Sequence, residues 1–358
     1  MVKKVYLAEP RGFCAGVEMA IKALSFLVQA FEAPIYCYHE IVHNKIVVDR
    51  FKNKGVVFVD SIDEVPEGAI VMLSAHGSAP EIVNASNEFN RLSVNAVCPL
   101  VSKVHHEAKT RASKGFEILY VGHAGHDEAI GTTAVAPDHI HLITDENDLE
   151  NAIHKIGDDK EVALLAQTTL ALSEWKDIQD KAYENYPELW TATRGDLCFA
   201  TTNRQSALKE LVKLSDVILI IGSSNSSNTL ALEKVAKESG CERVYRIDSA
   251  EQIAGINLHD DDVVGVTAGA SAPDDVVQSV IDACASFEPV ENVRVIDEDE
   301  YFPLPSQLRN LVMDMNFAVD SMFSKLRESK GISNSASVDL KRVFQNDKEV
   351  SASEVLVG

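Results

Sequence analysis

The chain has 358 residues, with 33 basic side chains against 55 acidic ones and a formal net charge of −22. That length suits two or three domains. The charge excludes electrostatic binding to nucleic acid or to anionic lipid, and no apolar run approaches the ~20 residues that a membrane-spanning helix needs.

The N-terminus, MVKKVYLAEPRGFC, has neither a long apolar core nor a small-residue cleavage site, so it reads as a first strand in a cytoplasmic protein rather than as a secretory leader. Six cysteines are present, Cys14, Cys37, Cys98, Cys198, Cys241 and Cys284, and no two are spaced C-x-x-C. Disulfides are not expected in a cytoplasmic chain of this kind, and zinc ribbons and thioredoxin-type pairs are excluded. Any metal centre has to be assembled from distant segments.

In chain order, the strand KKVYLAEP runs through GFC, ending on Cys14, into the amphipathic segment VEMAIKALSFLVQAF. The strand APIYCYHE follows and contains the start of HEIVH, residues 39–43, which spells a zinc-protease pattern. That pattern works only on a helix, where the two histidines face one metal. Here the β-branched and aromatic PIYCYHE reads as a strand running into a loop, and the next helix, HNKIVVDRFKNKG, begins only at the second histidine. The protease geometry fails.

The same order of elements then repeats. LSVNAVC ends on Cys98 and leads into PLVSKVHHEAKTRASKG; TRGDLC ends on Cys198 and leads into FATTNRQSALKELVKL. After each helix a strand opens into a polar loop: APIYCYHE into HEIVHN, FEILYVG into GHAGHDE, and DVILIIG into GSSNSSN. Each copy ends with a strand, a small polar loop and a helix, in AIVMLSAHGSAPEIV, EVALLAQTTLALSEW and DVVGVTAGASAPDDVV. The offsets agree: Cys14 to Cys98 is 84 residues and Cys98 to Cys198 is 100, while His43 to His126 is 83 and His126 to Ser226 is 100. The fold expected is three similar small α/β domains with mainly parallel sheets about a pseudo-threefold axis. Their bounds are residues 1–98, 99–194 and 195–288, with the first strand free to pack in the third unit, and residues 289–358 form a C-terminal extension.

Ligands of parallel α/β sheets bind beyond the carboxyl ends of the strands, and every polar loop above lies at such an end. Three domains with those ends inward bring Cys14, Cys98 and Cys198 to one point. Each cysteine starts a helix, which lowers a thiol's pKa, and three converging thiolates call for a metal countercharge. Zinc and an iron–sulfur cluster both suit the donor set; three cysteines on a four-iron cluster leave one iron open as a Lewis acid. Cys37, Cys241 and Cys284 lie in apolar segments and read as structural.

Around that centre, His43, His76 and His126 from the first two copies face Ser226, Ser227, Asn228 and Ser271 from the third. Two helices begin beside these serines. Together they form an anion cradle without a P-loop lysine, in which an anion raises the histidines' pKa. Glu128 is the candidate proton donor, with Thr168 and Thr169 extending a relay.

The segments AEPRGFCAGVEMAI, EIVHN, SAHG, CPLVSKVH, GHAGHDE, QTTL, CFATTNRQ, GSSNSSN and TAGASAPD, in this order, resemble the LytB-type 4-hydroxy-3-methylbut-2-enyl diphosphate reductases over roughly residues 3–310. The resemblance implies three α/β domains around a [4Fe–4S] cluster held by Cys14, Cys98 and Cys198, with the fourth iron open to the substrate hydroxyl. It implies two-electron removal of that hydroxyl, giving isopentenyl and dimethylallyl diphosphates in the non-mevalonate isoprenoid route, with electrons from reduced ferredoxin or flavodoxin. Glu128 would deliver protons with Thr169 and His126 nearby, and His43, His76, Ser226, Ser227, Asn228 and Ser271 would bind the diphosphate. Two rivals stand beside it: a hydrolase with zinc or a similar ion on His43, His76 and His126, and a non-catalytic iron–sulfur sensor or partner-binding scaffold.

After YFPLPSQLR, residues 301–309, the resemblance ends. The remainder reads as a short helix and a polar tail that caps the cavity, mediates dimerisation or is mobile, with composition favouring the last.

Overall fold

The computed structural model describes residues 1–89, 91–157, 159–192, 196–330 and 351–357. Three parallel sheets share one strand order. The first contains β2 (Ile35–Tyr38), β3 (Val56–Val59), β4 (Ile70–Leu73) and β5 (Leu92–Asn95) in the order β3-β2-β4-β5. The second contains β6 (Glu117–Val121), β7 (Ile140–Ile143), β8 (Val162–Ala166) and β9 (Trp190–Thr191) in the order β7-β6-β8-β9. In the third, β10 (Val217–Ile221), β11 (Arg243–Ile247) and β12 (Val263–Ala268) join β1 (Lys4–Glu9) in the order β11-β10-β12-β1, and β13 (Glu291–Arg294) adds beyond β1. Every strand pair is parallel.

The order explains why a chain of three repeats closes on itself. The strand before Cys98 completes the first sheet and the strand before Cys198 completes the second. The strand before Cys14, at the very start of the chain, completes the third. Each cysteine thus sits where the chain leaves one unit's sheet and enters the next unit's helix: α1 (Ala15–Ala30), α4 (Pro99–Ser113) and α8 (Phe199–Val212).

Composition drives these elements. VILII in β10 and VALLA in β8 are buried at every position, as strands covered on both faces must be. Helix α1 buries ten residues, among them Ile21, Leu24 and Leu27, because the sheet lies on one side of it and C-terminal segments lie on the other. Each such side chain contributes about 1.5–3 kcal/mol on leaving water.

The C-terminal extension departs from expectation. The segment expected to be a short helix is α11 (Ser306–Lys330), 25 residues long. A further helix, α12 (Ala352–Val357), returns to the body, where Ala352 and Leu356 are buried with Leu308 in the first unit's core. The backbone N–H of Ala352 donates to Glu18 at 2.8 Å, and that of Asp274, on the third unit, donates to Ser353 Oγ at 3.2 Å. Apolar residues spaced along an otherwise polar segment supplied this docking, which composition alone does not reveal. Residues 331–350 of the expected mobile tail, and the expected boundary at 194/195, lie outside the described residues.

Candidate active site

The carboxyl ends of the three sheets surround one cavity of about 100 Å³. Cys14, Cys98 and Cys198 all line it, each as the residue that caps a helix N-terminus. At Gly16 a Cβ would lie 2.7 Å from the Cys98 sulfur and 4.0 Å from that of Cys14, so only glycine lets these two sulfurs share the space above the first turn of α1. All six cysteines are free thiols. Cys37, Cys241 and Cys284 are buried in three separate apolar clusters away from the cavity.

The expected lowering of the thiol pKa at helix starts is not what the structure gives. Burial, followed by the neighbouring sulfur of Cys14, pushes Cys98 up, and the same causes push Cys198 up to about 11. Desolvation outweighs the helix ends, although the Thr201 N–H and hydroxyl lie 3.3 and 3.0 Å from the Cys198 sulfur. Cys98 and Cys198, without a nearby cation, are therefore held neutral. A soft, thiolate-ligated metal centre fits this donor set, since three sulfurs converge on one cavity and a bound cation supplies the countercharge that their thiolate forms need.

Beside the sulfurs, the ends of β2, β4 and β6 present His43, His76 and His126. His43 and His76 stack with ring centroids 3.8 Å apart, and His126 stands edge-on to His43 at 5.2 Å. Burial lowers His76 well below the ordinary histidine value and His126 to about 4, with the neighbouring His43 adding to the effect in both. The upward shift expected of these histidines belongs to the anion-bound site; in the free site His76 and His126 stay neutral. His43 Nε2 and His76 Nδ1 are buried without hydrogen-bond partners, as are both amide atoms of Asn228. Such unfilled capacity in one cavity is what a polyanion would consume.

Across the cavity, Ser226 caps α9 (Ser227–Glu238) through Thr229 N at 3.3 Å, and Ser271 precedes α10 (Asp274–Cys284), its hydroxyl donating to the His43 carbonyl at 2.9 Å. Thr169 Oγ1 donates to Ser227 Oγ at 2.9 Å, and Gln167 Nε2 lies 2.9 Å from both. Thr169 therefore belongs to the serine side of the cavity, and the threonine that bonds Glu128 is Thr168. The Thr168 N–H and hydroxyl reach the two Glu128 oxygens at 2.8 and 2.9 Å. Glu128 opens α5 (Asp127–Thr133), is 2% exposed, and is raised by burial to about 7, so it holds its proton near neutrality.

Several site residues escaped the sequence. Asp127 sits within reach of three imidazoles: 2.8 Å from His39, 3.7 Å from His76 and 3.9 Å from His43. Its carboxyl is held low by His39, against its own burial. His39 has φ 56°, a left-handed backbone just past the end of β2, and its ring meets Asp127. His39 and His43 both lie in the loop after β2, outside any helix, so HEIVH lacks the helical geometry of the zinc-protease pattern. Among the described residues, His43 and His76 can share a cation with Asp127 rather than with His126. The signal for Asp127 was its place in GHAGHDE, where Glu128 drew the attention. Phe302, beyond the repeats, walls the cavity and packs on Phe199 at 6.4 Å.

A family model described as LytB protein matches residues 5–285. A 4-hydroxy-3-methylbut-2-enyl diphosphate reductase of Rhodopirellula baltica is 46% identical over 86% of this chain and 96% of that protein. One of Cutibacterium acnes is 42% identical over 86% of this chain and 95% of its own length. Among solved structures, the E-1-hydroxy-2-methyl-but-2-enyl-4-diphosphate reductase from Plasmodium falciparum superposes with a TM-score of 0.82 at 29% identity, covering 88% of this chain and 99% of that one.

Proposed function

This chain belongs to the LytB family, and we propose that it reduces 4-hydroxy-3-methylbut-2-enyl diphosphate to isopentenyl and dimethylallyl diphosphates, the terminal step of the non-mevalonate route. The allylic carbon–oxygen bond breaks, two electrons and two protons are consumed, and the hydroxyl leaves as water. The observation that carries this reading is the convergence of three free thiols, one buried carboxyl group and a histidine–serine cradle on a single cavity.

Cys14, Cys98 and Cys198 would hold a [4Fe–4S] cluster with one iron free of protein ligand. When bound, that cluster supplies the electrons and the Lewis acidity at the bond to be broken. The diphosphate would lie against His43, His76, Ser226, Ser227, Asn228 and Ser271. There it gains hydrogen bonds from groups that are otherwise unfilled and from the starts of α9 and α10. Val17, Val42, Ala75 and Phe302 give the five-carbon chain an apolar wall and keep water out.

Glu128 delivers the proton. Its acid form is favoured by burial, and Thr168 fixes the orientation of the carboxyl. His126, whose Nδ1 accepts the Glu128 N–H at 3.1 Å, and Thr169 complete the polar side of the reacting end. The reading includes reduced ferredoxin or flavodoxin as donor, a cytoplasmic location that keeps the thiols reduced, and the three-unit division with the C-terminal extension from residue 289. No described helix is long and apolar enough to cross a membrane.

A second reading rests on His43, His76 and Asp127, whose ligand atoms lie within 4.8 Å of one another. A cation there would make the chain a hydrolase that releases phosphate without any reductant. Anaerobically purified protein, offered the hydroxylated diphosphate with and without dithionite, separates the two. Reductant-dependent conversion to the two isomers supports the reductase, and phosphate release without reductant supports the hydrolase.

A further inference from the structure

Arg204, in the second turn of α8, is 0% exposed. Its Nε and Nη2 donate to the Gly12 carbonyl at 3.1 and 2.9 Å, and Nη2 also reaches the Phe13 carbonyl at 3.3 Å. Nη1 donates to Ala200 O at 2.9 Å and to the two Glu298 oxygens at 3.2 and 3.0 Å. Asn203 Nδ2 adds a bond to Glu298 at 3.0 Å. The whole guanidinium fork is thus occupied by three backbone carbonyls and one carboxylate.

These partners come from three places that matter to the site. Gly12 and Phe13 immediately precede Cys14. Ala200 is in the first turn after Cys198. Glu298 lies on the extended stretch that leaves β13 and carries Phe302 to the cavity wall. The loop before Cys14 is held from its other side as well: the Gly12 and Cys14 N–H groups donate to the carbonyls of Ala268 and Ala270 at 3.3 and 3.2 Å. Gly12 has φ +64° and lies so close to the Ala272 carbonyl that a Cβ would stand 3.2 Å from it. Its N–H groups face the end of β12 and its carbonyls face Arg204, so the loop has no freedom once the arginine is in place.

We propose that Arg204 is a positioning residue that sets Cys14 relative to Cys198 and, through Glu298, pins the Phe302 segment as a wall of the substrate cavity. The fork is the essential feature. A lysine keeps the charge but offers one nitrogen, which cannot reach two carbonyls on one side and a third carbonyl and a carboxylate on the other. The inference rests on the cluster reading for its first half only; the second half concerns the protein wall.

The test compares R204K and E298A with the unaltered full chain, by hydrogen–deuterium exchange, by the rate at which a chelator strips iron, and by kinetics. In R204K, amides of residues 12–16 and 295–304 exchange faster, and iron is lost roughly tenfold faster, the scale typical of groups that orient metal ligands. In E298A, exchange rises in residues 295–304, KM rises several-fold and kcat holds, because an apolar wall contributes equally to ground and transition states. Unchanged exchange in both variants overturns the pin. Faster exchange with iron loss at the unaltered rate in R204K overturns the role at Cys14. An unchanged KM in E298A overturns the role at the wall, and E298A alone decides this should R204K not fold. Absence of iron from the unaltered protein refutes the cluster reading, while the exchange data still decide the pin.

Discussion

Replacing Glu128 by Gln separates stability from chemistry at one buried group. The two carboxyl oxygens accept from the Thr168 N–H and hydroxyl. In the protonated acid, and equally in Gln, one oxygen keeps the backbone N–H while the other position donates to a rotated Thr168 hydroxyl. The variant is therefore a mimic of the acid form. Burial raises the carboxyl from 4.5 to about 7, so folding favours the proton. The stabilisation of the protonated form is complete below pH 4.5 and is lost as pH rises through 7. At about 1.4 kcal/mol per unit, the full difference is about 3 kcal/mol. Near pH 5 the apoprotein and its Glu128→Gln variant should melt together; near pH 8.5 the variant should melt higher. For a chain of 358 residues unfolding as one unit, the entropy scale of ~2 cal/mol/K per residue makes this about 4 °C. The variant, unable to give a proton, should bind substrate yet turn over at least ~10²-fold more slowly. A melting difference that does not change with pH refutes the burial argument, and near-normal turnover refutes the role as proton donor.

Cys98→Ser should lower iron content while Cys241→Ser leaves it unchanged, as iron analysis of anaerobically purified protein will report; equal losses would mean that the cysteines are wrongly sorted. Because His76 and His126 are neutral in the free site, inorganic pyrophosphate should bind with proton uptake, and its affinity should fall as pH rises. Calorimetry in buffers of different ionisation enthalpy checks this, and heats independent of buffer would contradict it. Leu356 is 2% exposed in the first unit's core, so Leu356→Ala should destabilise the docked C-terminal helix by roughly 2–5 kcal/mol; amides of residues 352–357 should then exchange with deuterium faster than in the unaltered chain, and unchanged exchange would contradict the docking.

The repeats were legible because burial on both faces of a parallel strand demands uninterrupted apolar runs, as in VILII, and because polar loops with glycine and serine stand out at their ends. The convergence of Cys14, Cys98 and Cys198 on one cavity was legible for the same reason: each marks a strand-to-helix junction in the same way. Arg204 was not. Within FATTNRQ it looks like any polar residue of an amphipathic helix, and only tertiary closure makes it the best-buried cation of the site. Asp127 was hidden by its neighbour, since one residue of helix separates a carboxylate facing histidines from one facing Thr168. The expected lowering of the thiol pKa fails at Cys98 and Cys198. A sequence displays helix starts and neighbouring charges, but the depth of burial, which dominates both, depends on how three units meet.

The most direct measurement is the iron and acid-labile sulfide content of the full chain, purified without oxygen, alongside single Ser variants of Cys14, Cys98 and Cys198. The account predicts about four of each per chain, a brown protein, and loss of iron in every one of the three variants. A colourless, iron-free protein that still consumes the hydroxylated diphosphate would contradict it.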